Sequence, residues 1–500
     1  MPRAFPLLTL GLIGSSLLLS LASAGADIVP RSPHGPYARV YYPRNQPTAA
    51  DKTGFPSSWT HAYANPRHNA AFSAGPTAPV WLRNGVSWRY AEARAWPLSR
   101  REPFGAKVYG ERLALATMTQ FYGNALGVSA VGGVIYAESD DQFAYALNAK
   151  TGKLIWRTSP VGNTFMGDPL VVGNIVYLSV GNVGFNFSNV QRYSRKTAAR
   201  GAGVSFNGIY ALDKTTGKLL WHFGTMGATM PTPAISNNRL FIDTGSGDIY
   251  AINATTGRQI WIKRAGGIAN MSNPAVYHGH VYVALSIIPY LYCLSATSGH
   301  IVWRGTIPDA TKPGLGDVSP AVAHGVVVMD AVANVPSHGG RTTMNTIVRA
   351  YNAEDGHVLW THTMGLGPKP PAFKGGVPMI HKDVVYVGSP VNSVYKAYTL
   401  HGGRLLWTWR IPKAGAAGAG RGPATYYQGK LFIATGPRIF VLNPRTGGLL
   451  GERYLGGRFG IVNPVIVGGT VYLANSWDWI MAIPTSTVIG HRPAHRRLSP

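Results

Sequence analysis

Acids are scarce in this chain, so the few that fall inside recurring motifs stand out. Among 500 residues, 20 are Asp or Glu against 46 Lys or Arg, a formal net charge of +26. Asp317 lies in GLGDVSP, and Asp330 closes the apolar run VVVMD that follows. A carboxyl whose proton affinity is tuned by burial and by nearby cations can act as a general acid or base. Lys374, Arg421 and Arg458 precede later copies of the same proline-containing motif and are the cations expected beside such an acid. Lys and Arg bind oxyanions. Asn270 adds an amide, and Met230, Met271, Phe373 and Phe459 add soft apolar surface. Together these residue types suit a small polarisable anion. The competing reading makes Asp317 a turn aspartate that bonds backbone at a strand start, and makes the three cations solvated loop residues.

What must bring these positions together is a repeat. YALNAKTGKLIW ends at Trp156, YALDKTTGKLLW at Trp221, YAINATTGRQIW at Trp261 and YCLSATSGHIVW at Trp303. AYNAEDGHVLW ends at Trp360, AYTLHGGRLLW at Trp407, and VLNPRTGGLLG at Gly451, where the Trp is lost; a degenerate copy, WIMAIP, starts at Trp479. Each copy reads as an alternating strand, a turn with Asn or Asp and a Gly of positive φ, and a second strand ending in a large aromatic. A second hairpin precedes each, as in TPAISNNRLFIDT at 232–244 and NPAVYHGHVYVAL at 273–285. The unit is therefore a four-stranded antiparallel sheet. Eight such sheets arranged radially bury both faces and protect their edges, which predicts an all-β, eight-bladed propeller. The last unit runs out of chain, so its outer strand is expected from the N-terminal region near APVWLRNGVSW at 78–88.

Antiparallel order fixes which ends share a face. Residues before each Pro motif are expected to ring the axis on one face: Asn124, Asp168, Met230, Asn270, Asp317, Lys374, Arg421 and Arg458. Asp168 there reads as a turn residue, and the glycine turns, HGH at 278–280 included, belong on the opposite face. Insertions at 182–206 and 331–346 leave the ring face between second and third strands. They read as a lid, a homodimer contact or plain surface loops.

The N-terminus carries Arg3, the apolar run FPLLTLGLIGSSLLLSL and the small residues Ala22–Ser23–Ala24, the pattern of a cleaved export signal. The expected organisation is a signal peptide at 1–24, an extension at 25–109 that helps close the ring, the propeller at 110–485 and a basic tail at 486–500. No stable membrane insertion is expected after cleavage, which places the protein in the periplasm or at the outer membrane. Cys293 is the only cysteine, so no internal disulfide forms and a cysteine zinc cluster is excluded. The histidines lack paired metal spacing, and no metal is expected. The positive charge is read as suiting an anionic ligand, an acidic setting or both, with lineage bias in composition as the alternative. Scattered cations in an exported chain argue against nucleic acid.

The repeat A-x-D/N-x-x-T-G-x-x-x-W resembles that of the eight-bladed propellers related to pyrroloquinoline quinone dehydrogenases, over roughly residues 110–483. Those enzymes place adjacent cysteines beside the quinone and use acidic or amide calcium ligands. This chain departs on both counts, so no cofactor is expected. The export signal, high pI, single cysteine, length and GLGDVSPAVAHG together resemble the tetrathionate hydrolases of acidophilic sulfur-oxidising bacteria. That resemblance implies a homodimeric, quinone-free propeller that hydrolyses tetrathionate at acidic pH to thiosulfate, sulfate and sulfur products, with Asp317 in the chemistry and Asp330 as second candidate. A protein-binding scaffold and a quinone-dependent dehydrogenase are the alternatives.

Overall fold

The computed structural model describes residues 40–41, 71–72, 88–91, 107–108, 111–112, 125–139, 144–158, 167–180, 208–225, 229, 231–266, 272–285, 290–311, 318–335, 343–368, 375–412, 420–459, 463–475 and 479–490. Within them the repeats fold as eight radial sheets. Blade three is representative: Ala234–Ser236, Arg239–Asp243, Asp248–Asn253 and Gln259–Arg264 pair antiparallel in sequence order. In the turns before the outer strands of blades one, two, three, five and seven an Asn or Asp side chain replaces water for the backbone, and Ser295 and Thr399 do so in blades four and six. Asn253 Oδ1 accepts the N–H groups of Thr255 and Thr256, at 3.0 and 2.9 Å. The two turns of a blade also join each other, Ala254 N–H donating to Asn238 O at 2.9 Å and Ala296 N–H to Gly279 O at 2.8 Å. Both sets of turns therefore lie on one face, HGH included.

The repeated Trp and Gly meet between blades. The indole of Trp261 in blade three donates to Ala296 O at 3.1 Å, in the turn of blade four. A Cβ on Gly299 of that turn would lie 2.7 Å from the Trp261 ring. Trp303 repeats this with Ala353 O and Gly356, Trp360 with Leu400 O and Gly403, and Trp407 with Pro444 O and Gly447. The glycine is required twice over: φ is near +70° at Gly299, and the ring occupies the space a side chain needs. Aromatic residues in the second strands fill the same seams, with Tyr282 Oη donating to Ala353 O at 3.0 Å.

The ring closes with help from outside the repeats. Trp88–Ala91 pairs antiparallel with Trp479–Pro484 and is the outer strand of blade eight. Tyr472 of blade eight then reaches Ala149 O of blade one, and the two blades share one apolar cluster. Val40–Tyr41 adds a fifth strand outside blade one, and Ala71–Phe72 runs parallel to the inner strand Thr425–Tyr427 of blade seven. Blade seven also explains its lost Trp. A Cβ on Gly451 would sit 2.0 Å from Val488 O, because the segment after the last strand packs there, and Gly490 N–H donates to Leu450 O.

The two insertions differ. Residues 182–206 lie outside the described residues. Much of 331–346 is strand: Val326–Asn334 pairs with Thr343–Asn352 through Asn334↔Met344, so the loop reading is corrected to an extended hairpin. It is tied to the exit of blade four by Thr311 N–H to Val332 O and Asn334 N–H to Asp309 O, at 2.8 and 3.0 Å. Asp330 thus sits within a strand that runs on past it, where the sequence suggested a strand end.

Gly299→Ala is expected to lower stability more than Gly279→Ala. Both impose a left-handed alanine, costing about 1–2 kcal/mol, but only Gly299→Ala also overpacks a Trp, adding roughly 1–3 kcal/mol. Urea midpoints at constant m-value check this, and equal losses would contradict the seam argument.

Candidate active site at the hub

The residue before each inner-strand proline builds a collar around the hub. Asp168 N–H donates to Thr232 Oγ1 at 2.6 Å, Thr232 N–H to Asn273 Oδ1 at 2.7 Å, and Asn273 N–H to Ser319 Oγ at 2.9 Å. Blades two, three and four are each thereby bonded to the next by a side-chain acceptor. Blades six and seven carry Val377 and Gly422 at this place, which offer none. There the collar changes character. Val377 N–H donates to Arg421 O at 3.0 Å, and Gly376 N–H donates to Asp330 Oδ2 at 2.8 Å.

Asp330 is fully buried in the seam between blades five and six. Gly375 and Gly376 lie against it, and a Cβ on Gly375 would come within 2.8 Å of both carboxylate oxygens. Burial pushes the carboxyl well above the ordinary range, while the Gly376 N–H and the charge of Arg421 pull it back. Oδ1 has no hydrogen-bond partner among the described residues. Arg421 is itself buried, so its charge acts through protein rather than water. A buried carboxyl with one oxygen bonded, one oxygen unbonded and a guanidinium nearby can hold a proton in an acidic medium and release it to a bound anion.

Two expected residues, Asp330 and Arg421, thus share this seam: adjacent amides of blade six, Gly376 and Val377, bond the carboxyl of one and the carbonyl of the other. Phe459 is buried at the end of the outer strand of blade seven, opposite Gly436. The backbone of Arg458 belongs to that strand, and its side chain lies outside the described residues. Asp317, Lys374, Asn270, Met271, Met230 and Phe373 also lie outside them, as does Asn124. Asp168 sits in the collar through its backbone, and its carboxyl fills the space over Gly127, where a Cβ would meet Oδ1 at 1.2 Å.

Other hub acids escaped the motif reading. Glu138 and Asp243 occupy the same place in blades one and three as Asp330 in blade five, the fifth residue of the second strand; the other blades hold Ser179, Ala284, Gly388, Ala434 and Ala474 there. Aligning second strands rather than proline motifs exposes that series. Glu138 and Asp243 are fully buried, and neither has a hydrogen-bond partner for either carboxylate oxygen among the described residues. Burial raises Glu138 well above its ordinary value and Asp168 adds to this; burial likewise raises Asp243, and raises Asp168 to about 7.

Comparison with known proteins decides the family. The PQQ repeat family described as outer membrane protein assembly factor BamB matches residues 88–200, 205–286 and 271–413. A tetrathionate hydrolase of Acidithiobacillus ferrooxidans is 59% identical over 481 residues, covering 95% of this chain and 96% of that one. The chain belongs to the tetrathionate hydrolase family. A tetrathionate hydrolase of Acidianus ambivalens is 36% identical over 90% of this chain and 88% of its own length. Among solved structures, a quinohemoprotein alcohol dehydrogenase from Pseudomonas putida HK5 aligns with TM-score 0.56 at 12% identity, covering 89% of this chain and 82% of that one. That likeness concerns the fold alone. The residues of this tetrathionate hydrolase family member do not fit the quinone site of such dehydrogenases. Cys293 is fully buried in the apolar cluster between blades four and five, beside Tyr282 and Trp303, and the sequence has no second cysteine to pair with it. Among the described residues, no three His, Cys, Asp or Glu converge on a metal position.

The raised acids set the sign of a stability profile. A carboxyl that is harder to ionise in the fold than in the unfolded chain stabilises fully below its ordinary value, here 3.8 for Asp and 4.5 for Glu. That contribution is lost as pH rises through the folded value, about 7 for Asp168. The melting temperature is expected to fall from pH about 4 towards neutrality. Asp243→Asn, neutral at all pH, is expected to flatten the fall. A wild-type profile that rises over this range, or an unchanged slope in the variant, would contradict it.

Proposed function

We propose that the protein is an exported hydrolase of tetrathionate, acting in an acidic medium and giving thiosulfate, sulfate and sulfur. The observation that carries this reading is Asp330, a buried carboxyl facing Arg421 at the hub of a chain that is 59% identical over nearly its full length to a protein named for that activity. Raised by burial, Asp330 is protonated at acidic pH and serves as the general acid. Water adds to one terminal sulfur, which leaves as sulfate. The S–S bond breaks, and the departing chain takes the electron pair and the proton carried at Oδ1. That chain then releases sulfur and becomes thiosulfate. Arg421, with Lys374 and Arg458, binds the sulfonate oxygens and stabilises the charge that develops. Met230, Met271, Phe373, Phe459 and the amide of Asn270 receive the polarisable sulfurs and orient them. Asp317, which precedes the collar residue Ser319, is the candidate to orient the attacking water.

Export through a signal peptide cleaved after Ala24 agrees with the BamB-like repeats, and the protein is read as periplasmic or outer-membrane-associated. No helix among the described residues is long and apolar enough to cross a membrane. A homodimer through 182–206 and 331–346 fits the extended hairpin of blade five, whose outer strand carries Leu366 at 60% exposure. The match to the assembly-factor family supports a second reading, a scaffold that binds proteins without chemistry.

Purified protein is expected to release thiosulfate from tetrathionate at pH about 3 and to lose that activity as pH rises through the raised value of Asp330, because a general acid works protonated. Asp330→Asn is expected to lower kcat by roughly 10²–10⁴-fold with the melting transition retained. An Asp330→Asn variant as active as wild type would refute the catalytic assignment. A wild-type protein without activity at either pH would leave the scaffold.

A further inference from the structure

The segment Gly420–Arg421–Gly422 is held on three sides. Gly420 N–H donates to Thr435 Oγ1 of blade seven at 2.8 Å. Arg421 O accepts from Val377 N–H at 3.0 Å, and Gly422 O accepts from the hydroxyl of Tyr395 in the third strand of blade six. Close packing leaves the segment no slack. A Cβ on Gly388 would lie 2.1 Å from Gly420 O and 2.7 Å from the Tyr395 ring, and one on Gly376 would lie 2.2 Å from Gly388 O. Gly420 itself has φ near +94°, which favours glycine. The same glycine pair that admits the segment, Gly375–Gly376, also caps Asp330.

Tyr395 is the member of this clamp with the most to lose. It is fully buried, so its hydroxyl and the Gly422 carbonyl have no water to replace each other. Burial, with the nearby Asp330 charge, keeps the phenol protonated, so it remains a donor across the working pH range. Among the described residues the charge that acts on Asp330 is that of Arg421, and Tyr395 lies near it as a neutral dipole.

We propose that Tyr395 is a positioning residue for the hub centre: by anchoring the Gly422 carbonyl, its hydroxyl fixes Arg421 against Asp330. The inference rests on the reading of Asp330 as the acid, and it assigns to Tyr395 no contact with substrate. Releasing the anchor frees Arg421 to shift relative to the carboxyl whose charge it stabilises. The carboxylate form then loses its stabilising charge and the acid titrates at a higher pH. The sulfonate grip loosens as well.

Tyr395→Phe keeps the ring and removes only the hydroxyl. With tetrathionate as substrate, the alkaline limb of the kcat/KM profile is expected to move up by about half a pH unit or more, with KM raised and kcat lowered roughly tenfold. Tyr282→Phe is the matched control. It removes a buried tyrosine-to-carbonyl bond, to Ala353 O, at the turn end of the seam between blades four and five, where Trp303 still donates to that carbonyl. It is expected to lower the melting temperature without moving the pH limb or KM. A Tyr395→Phe variant that loses stability as Tyr282→Phe does, and keeps the wild-type pH profile and KM, overturns the inference. Should Tyr395→Phe not fold, Thr435→Val removes the other side-chain anchor of the segment and carries the same expectation and the same refutation. Activity retained in Asp330→Asn would instead strike the underlying reading of the centre, whatever Tyr395 does.

Discussion

The structure depends on one contact made again and again: the indole of one blade lodged beneath the turn glycine of the next. A four-stranded sheet of this size cannot bury both its faces, and its outer strand exposes apolar side chains such as Leu220, Ile260 and Val302. The Trp solves this by reaching sideways. Its ring covers a glycine where no side chain fits, and its N–H satisfies a carbonyl that the turn leaves unbonded. Because each contact joins neighbours only, the ring is stable when every seam is made, including the last. That requirement explains the exceptions. Blade eight lacks chain of its own and takes Trp88–Ala91, and blade seven replaces its Trp with the returning segment 488–490.

Towards the hub the seams become polar, and the same register decides how. The third residue of a second strand is most often aromatic and fills the seam on the turn side. Two residues on, nearer the hub, four blades carry alanine or glycine, one carries serine, and three carry an acid. Ser179 satisfies itself on Pro231 O of the next blade. Glu138, Asp243 and Asp330 are taken from water instead, and among the described residues Asp330 alone of the three feels a cation, Arg421. In a chain so poor in carboxylates, this concentration at the hub has a physical consequence. Such groups cost little where they stay neutral and much where they must ionise, so an acidic medium favours the fold.

The collar of proline motifs sets where Asp330 and Arg421 lie. Blades two to five hold one another with side-chain acceptors. Where Val377 and Gly422 interrupt the collar, backbone must bond backbone, glycines allow two chains to approach, and Asp330 occupies the opening. The extended hairpin of blade five braces the same region from outside, Thr346 Oγ1 lying 2.8 Å from Ser389 Oγ of blade six.

Local chemistry was enough to read the fold, because each blade repeats its own instructions. Alternation, the Asn or Asp turn, the Gly of positive φ and the terminal Trp recur, and even the borrowed outer strand was legible as a deficit in the eighth copy. The motif order also pointed to Arg421 and Asp330 as hub residues. It did not show that they meet, because 91 positions and two blades separate them and only closure of the ring sets that distance. Nor did it single out Glu138 and Asp243, which sit in different motifs and share only a depth in the seam. The hairpin within 331–346 read as a loop because its strand pairing draws on Asp309 and Thr311 of the preceding blade. Sequence fixed the unit, since strand and turn chemistry is local; tertiary structure alone decided which side chains lose water and which charges face them, since burial and proximity belong to the assembled ring.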